Sequence, residues 1–260
     1  MLKAISFDLW ETLITDTPDL SRQQERLRMS RMEEVLRARG HGAVAERIEH
    51  AYRALWHRCQ ALYWSEDVDV PCRRQIEHFL EELQLAPESF DEAMLEELEH
   101  AYAHAALDIL PRVVDGASDL LGELKARGFG VGLISNTGRT PGYVLRRILT
   151  ALGIADSIDV MVFSNEHGAC KPQPSIFEEL RRGLGVDYGE MLFVGDNLYV
   201  DVHGAQRVGM RAVHFDPPIR GTAIAPPVEH GLEIVPDARV TSLEELVGVV
   251  ERINGGGERR

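Results

Sequence analysis

Asp8 ends a short apolar run, Ala4-Ile5-Ser6-Phe7, and Thr12 follows it four residues later. A carboxylate at the end of a buried parallel strand sits where open sheets present their ligands, outside the carboxyl edge. Three later stretches carry complementary chemistry. Ser135 and Asn136 follow the run Gly130 to Ile134, and Lys171 stands in K-P-Q-P-S-I-F. Asp196 and Asp201 stand in G-D-N-L-Y-V-D after Met191 to Val194. A carboxylate nucleophile needs a lysine nearby to stay ionised and to neutralise developing charge. A serine hydroxyl and backbone amides can hold a phosphoryl oxygen. Two or three carboxylates at strand tips make a hard-oxygen site suited to Mg2+, and such a cation screens the nucleophile from an anionic substrate.

These residues can meet only if neighbouring strands present them at one edge. From Ala117 the pattern is helix, glycine stop, apolar strand and polar tip, and the alternation of helix and strand continues, which predicts an α/β core with a parallel sheet. Strands are expected over Lys3 to Phe7, Gly130 to Ile134, Val160 to Phe163, Met191 to Val194 and Arg211 to Phe215. Helices are expected over Ala117 to Arg127, Pro141 to Leu152, Pro174 to Leu184 and Val200 to Val208. A last helical stretch, Val240 to Asn254, has Ser242 as its cap. Pro217 to His230 reads as a long surface segment.

Between the first strand and this alternation the texture is helical. Thr15 to Leu20 reads as a loop, with Asp19 or Ser21 as the helix cap. Leu27, Met29, Met32, Val35 and Leu36 recur at helical spacing before Gly40. Further helices are expected over Ala43 to Tyr63, Pro71 to Leu83 and Pro87 to His104, with a break at Trp64 to Val70. The predicted division is a Rossmann-like core of residues 1–15 and 110–254, an inserted helical cap of residues 16–109, and a frayed tail of 255–260. An insertion directly after the Asp8 strand hangs over the carboxyl edge of the sheet and can act as a lid.

Composition narrows the function. Apolar residues make up 44% of the 260, enough for a sizeable core, so disorder is excluded as the default. The formal charge of −14, from 28 basic and 42 acidic residues, opposes nucleic-acid binding. Cys59, Cys72 and Cys170 form neither a disulfide framework nor a zinc spacing, which fits a reducing cytoplasm. No run is long and apolar enough to span a bilayer, and no signal-peptide pattern precedes the first strand.

Taken together, F-D-L-W-E-T-L, L-I-S-N-T, Lys171 in K-P-Q-P-S-I-F and V-G-D-N-L-Y-V-D resemble, in order, the motifs of the haloacid dehalogenase-like hydrolases. The resemblance spans essentially the whole chain, insertion included. It implies Asp8 as nucleophile, passing through an aspartyl-phosphate, with Thr12, Ser135, Asn136 and Lys171 around the transferred group. It also implies Mg2+ held by Asp8, Asp196 and the backbone carbonyl of Trp10, with Asp201 as further acidic support.

One position departs from the pattern. Family phosphatases usually carry a second aspartate two residues after the nucleophile, which protonates the leaving group. Here that position is Trp10. Losing a general acid/base costs on the order of 10²–10⁴-fold in rate. Dehalogenating members also carry an aromatic there, but they need no metal and usually lack the G-D-x-x-x-x-D pattern. Plainer readings stand beside these roles. Asp8 could be a strand-end cap, Thr12 and Ser135 loop-capping hydroxyls, Lys171 a surface lysine, and Asp196 with Asp201 a helix cap. Trp10 could pack under the cap or touch substrate. Glu11 should point away from the Trp10 side. Trp56, Tyr63 and Trp64 suit cap core or pocket walls, Arg22 and Arg26 solvated surface, and His167 a plain loop.

The favoured expectation is a cytoplasmic, Mg2+-dependent phosphatase of a small phosphorylated metabolite, monomer or homodimer, with no nucleic-acid or membrane partner. A 2-haloacid dehalogenase using Asp8 and a non-catalytic phosphate- and Mg2+-binding module are the alternatives.

Overall fold

The computed structural model describes residues 1–217, 221 and 231–255. In chain order the strands are β1 Ala4–Phe7, β2 Ile14–Thr15, β3 Arg112–Val113, β4 Gly130–Ser135, β5 Val160–Phe163, β6 Met191–Gly195, β7 Arg211–Phe215 and β8 Ala238–Val240. The helices before β3 are α1 Pro18–Ala38, α2 Ile48–Leu62, α3 Cys72–Glu82, α4 Glu92–Ala103 and α5 Ala105–Asp108. Those after it are α6 Ala117–Ala126, α7 Gly142–Ala151, α8 Ser164–His167, α9 Pro174–Leu184, α10 Gly204–Arg207 and α11 Leu246–Asn254.

Six strands form one parallel sheet in the order β5-β4-β1-β6-β7-β8. All four residues of β1 are buried. A strand covered on both faces reads as a continuous apolar run rather than an alternation, as Ala4 to Phe7 does. Its side chains still divide by pleat. Ile5 and Phe7 join the apolar cluster that holds Leu121, Leu145 and Val249, whereas Ala4 joins Phe177, Leu180 and Val202 on the other face. The chain leaves β1 to build β4 and β5 on one side, then returns to build β6 and β7 on the other. That reversal puts the ligand crevice beside β1. In register, Phe7 lies beside Leu133 of β4 and Val194 of β6, so the tips of these three strands are neighbours.

The helical segment packs α1 on α4 and α2 on α3. Met32, Leu36, Tyr52, Phe79 and Leu98 are buried at its centre. They belong to the same continuous cluster as Phe7 and Leu133, so the segment is seated on the sheet domain through apolar contact. No helix among the described residues is long and apolar enough to cross a membrane.

The α/β class and the parallel sheet agree with the sequence expectation, and β5, β7 and α9 have the expected bounds. Several local expectations are corrected. The first helix starts at Pro18, not after Asp19 or Ser21, because Thr17 Oγ1 accepts from Leu20 N at 3.2 Å and Pro18 fits the first turn. The stretch from Val200 to Val208 is not one α-helix but a π-helical turn, Leu198–His203, running into α10. Residues 42–47 form a 3₁₀ turn before α2, and 87–89 form another before α4, which Asp91 caps. Strands β2, β3 and β8 were not expected. The first two are two residues long and pair with each other, Ile14 with Val113 and Thr15 with Arg112, across nearly 100 positions. So short a run has no detectable period, and its partner cannot be found locally. This pairing draws together the two ends of the helical segment. The expected surface segment 217–230 and tail 255–260 lie almost wholly outside the described residues.

Candidate active site

Asp8 is the residue after β1, Ser135 the last of β4 and Asp196 the residue after β6, so the register of three adjacent strands sets their spacing. Lys171 comes from the loop before α9. It is 1% exposed, which excludes the surface-lysine reading. Its Nζ donates to Asp8 Oδ1 at 2.5 Å, to Asp201 Oδ1 at 2.7 Å and to the Ile134 carbonyl at 3.1 Å. All three ammonium protons therefore have acceptors, as a buried cation requires.

The main chain of Lys171 is gripped separately. Asn136 Oδ1 accepts from Lys171 N at 2.8 Å and Asn136 Nδ2 donates to Lys171 O at 3.1 Å. Asn136 thus holds the lysine loop through both polar atoms of its side-chain amide. On the far side, Asp201 Oδ2 accepts from Asn197 N at 3.0 Å. Gly195 is needed there, because a Cβ on it would collide with the Asp201 carboxylate. His214 on β7 meets the Asp196 carbonyl at 3.0 Å through Nε2.

Oxygens of Asp8, Asp196 and Asp201 lie within 4.8 Å of one another. Burial pushes Asp8 up to about 6; Lys171 opposes the shift and Asp201 reinforces it. Burial also works against the charge on Lys171, but Asp201 and then Asp8 outweigh it and hold that pKa above its usual value. The cluster sets three carboxylates against one ammonium. It therefore attracts a cation, and an all-oxygen donor set suits a hard one. The span of 4.8 Å is near the separation of about 3–4 Å between oxygens that share an Mg2+ ion. The donor chemistry and the charge deficit both fit Mg2+. Asp201 already gives its two oxygens to Lys171 and Asn197, so Asp8 and Asp196 are better disposed as direct ligands.

Both oxygens of the Asp8 carboxylate have close neighbours. Asp8 Oδ1 faces Lys171, and Thr12 Oγ1 approaches Oδ2 at a long 3.4 Å. Ser135 Oγ is fully buried and has no hydrogen-bond partner among the described residues. A buried hydroxyl left so costs stability and calls for an acceptor such as a phosphoryl oxygen.

Chain 2–209 matches the family model for haloacid dehalogenase-like hydrolases. The chain belongs to this family. It is 32% identical to the glyceraldehyde 3-phosphate phosphatase of Pyrococcus abyssi over 217 residues, 83% of this chain and 82% of that one. It is 30% identical to the phosphoglycolate phosphatase of Yersinia pseudotuberculosis over 211 residues, 80% of this chain and 78% of that one. Among solved structures, a 2-haloacid dehalogenase from Pseudomonas syringae pv. tomato shares the fold at TM-score 0.68 and 24% identity, covering 97% of this chain and 100% of that one. A haloacid dehalogenase-like phosphatase from Thermococcus onnurineus shares it at TM-score 0.58 and 24% identity, with both chains fully covered. The chain is thus a haloacid dehalogenase-like hydrolase, with phosphatases among its relatives in sequence and a dehalogenase among the structures that share its fold.

Several residues with a plainer reading make contacts of their own around this haloacid dehalogenase-type site. His167 meets Glu179 through Nδ1 and Ser175 Oγ through Nε2, on the surface side of α9. Arg22 and Arg26 are exposed on α1. Glu11, with φ +59°, gives its carboxylate to Thr15 Oγ1 and Gly221 N. Trp10 is half-buried and packs against the main apolar cluster. Sequence reading missed Asp69. From the α2–α3 loop its carboxylate accepts from Ser164 Oγ at 2.5 Å, Thr137 Oγ1 at 3.0 Å and Trp64 Nε1 at 3.0 Å. Its main-chain N–H donates to Gly168 O, and Cys170 N donates to Asp67 O. The helical segment therefore braces both loops that carry Asn136 and Lys171. No local pattern in W-S-E-D-V-D-V announces this, because the partners are 68 and 95 positions away.

Proposed function

We propose that this chain is a Mg2+-dependent phosphatase of a small phosphorylated metabolite, with Asp8 as its nucleophile. The observation that carries the reading is the buried triad Asp8–Lys171–Asp201 beside Asp196, with the Ser135 hydroxyl, unpartnered among the described residues, at the tip of the neighbouring strand. A dehalogenase that needs no metal gains nothing from a third carboxylate, whereas a metal phosphatase does. The two phosphatase relatives support the same choice.

An Asp8 carboxylate oxygen attacks phosphorus, forming an acyl-phosphate as the ester P–O bond breaks. Lys171 and the Ser135 hydroxyl stabilise charge on the equatorial oxygens. Water then attacks phosphorus and releases inorganic phosphate and the free Asp8 carboxylate. Asp8, Asp196 and the Trp10 carbonyl, with Asp201 behind them, would hold Mg2+, which when bound would supply charge neutralisation for an anionic substrate. Trp10 has no proton to give, so the leaving group takes its proton from water or from the substrate itself. The helical segment acts as a cap that limits access by bulk water, and turnover favours good leaving groups.

Hydrolysis of p-nitrophenyl phosphate and of 2-chloropropionate, each with Mg2+ and with chelator, tests this on native protein and Asp8→Asn. Phosphate release that needs Mg2+ and disappears in Asp8→Asn is expected. Chloride release that survives chelation would instead select the dehalogenase reading, which the aromatic Trp10 favours. Binding of phosphate and Mg2+ without turnover of either substrate would select a non-catalytic module. Phosphatase activity that persists in Asp8→Asn would sink the mechanism.

A further inference from the structure

The loop that starts at Ser135 does not end at the phosphoryl site. After Asn136 and Thr137 it rises into the helical segment, where Gly138 O accepts from Gln75 Nε2 at 2.9 Å and Gly138 lies against the Trp56 ring. The next residue, Arg139, is half-buried there. Its guanidinium sits 4.3 Å from the Trp56 ring centre and 4.8 Å from that of Tyr52, both on α2.

Two features of this junction are unusual. Arg58, Arg73 and Arg146 all face carboxylates within hydrogen-bonding reach, but Arg139 has no ion pair among the described residues. In a chain with 42 acidic residues a half-buried guanidinium left without a carboxylate calls for an explanation. The second feature is Tyr52, whose ring Arg139 covers. It is 1% exposed, yet its hydroxyl has no hydrogen-bond partner among the described residues. Cation–π contact holds the guanidinium in place but satisfies none of its N–H donors.

We propose that Arg139, with the Tyr52 hydroxyl, binds a carboxylate on the substrate remote from the phosphoryl group. With aromatic rings against the guanidinium, its N–H edge is the part left for a ligand. A carboxylate pairs with that edge through two parallel hydrogen bonds, and the Tyr52 hydroxyl can donate a third. Because Arg139 and Ser135 share one loop, a single substrate would be held at both ends by one rigid stretch of chain. Trp56 and Trp64, 4.6 Å apart, would wall the space beside it, and Trp64 is fixed by Asp69. The preferred substrate would then be a short phosphorylated carboxylic acid. This rests on the phosphatase reading and names its substrate class.

The test compares kcat/KM for 2-phosphoglycolate with that for ethyl phosphate, which lacks the carboxylate, in native protein, Arg139→Gln and Tyr52→Phe. Native protein should prefer 2-phosphoglycolate. Arg139→Gln should lower that preference by about 10- to 100-fold, the size expected for losing a charged hydrogen-bonded pair. Tyr52→Phe should lower it less. A variant that slows both substrates equally would mark Arg139 as structural and overturn the proposal, as would a native ratio near one. Should no phosphate be released from either ester, the phosphatase reading fails on its own. Calorimetry on Asp8→Asn with phosphonoacetate and methylphosphonate then decides. A preference for phosphonoacetate that Arg139→Gln abolishes supports the carboxylate site, and equal affinities overturn it.

Discussion

The side-chain amide of Asn136 brackets the main chain of Lys171, accepting from its N–H at 2.8 Å and donating to its carbonyl at 3.1 Å. Two loops that are 35 residues apart in the chain are thereby locked in register. From that position the lysine ammonium reaches Asp8 and Asp201. Asn136→Ala removes both bonds without touching the ammonium. Its kcat for p-nitrophenyl phosphate should fall about 10- to 100-fold, the usual consequence of a displacement near 1 Å at a reacting centre. Circular dichroism should be unchanged. Activity within twofold of native would show that the lysine loop is held by other means.

Gly195 offers a second, purely steric handle. A methyl group there would strike the Asp201 carboxylate, which is itself 1% exposed and cannot retreat into solvent. Gly195→Ala should displace Asp201, free one acceptor of Lys171 and lower kcat at least about tenfold. It should also cost about 1–3 kcal/mol in urea denaturation, as overpacking of a filled site does. Gly189→Ala is the control, since a Cβ there meets nothing within 4 Å. Equal behaviour of the two variants would show that the collision is relieved without consequence.

Asp16, between β2 and α1, predicts a pH effect on stability. Burial raises its pKa from 3.8 to about 6, against the hydrogen bond from Gln24 Nε2 at 3.1 Å. The folded state therefore keeps a proton that the unfolded chain has released. Between about pH 4 and 6 this makes native stability fall as pH rises, and above pH 6 the whole penalty is present. Asp16→Asn keeps the acceptor for Gln24 and removes the charge. At pH 8 it should be more stable than native protein by about 1–2 kcal/mol, allowing for solvent screening, and the gain should vanish by about pH 4. A gain that is the same at both pH values would show that titration of Asp16 is not its source.

Much of the site was legible from local pattern. Asp8, Ser135 and Asp196 follow apolar runs, and a run that ends on a polar residue marks a strand tip whatever lies beside it. The expected strands β5 and β7 match residue for residue because their runs are bounded by clear breaks. The expected helix over Val200 to Val208 fails for a specific reason. Asn197 takes Tyr199 N and Val200 N on its Oδ1 and gives its own N–H to Asp201, so side-chain bonds rather than propensity shape that turn. Strand β8 was hidden by its length, and β2 with β3 by the distance between partners.

Hydrophobic period and turn residues act over a few positions, so the sequence by itself determined the α/β class, the inserted helical segment and the residue types at each strand tip. Contacts across long stretches of chain leave no such period. Only the tertiary structure decided that Lys171 is buried between two carboxylates and that Asn136 serves the lysine loop. It also decided that Asp69 braces both loops from the helical segment and that Arg139 lies against Tyr52 and Trp56 with no ion pair among the described residues. Each of these depends on the sheet order that brings β1, β4 and β6 side by side, and on how the helical segment is seated over them.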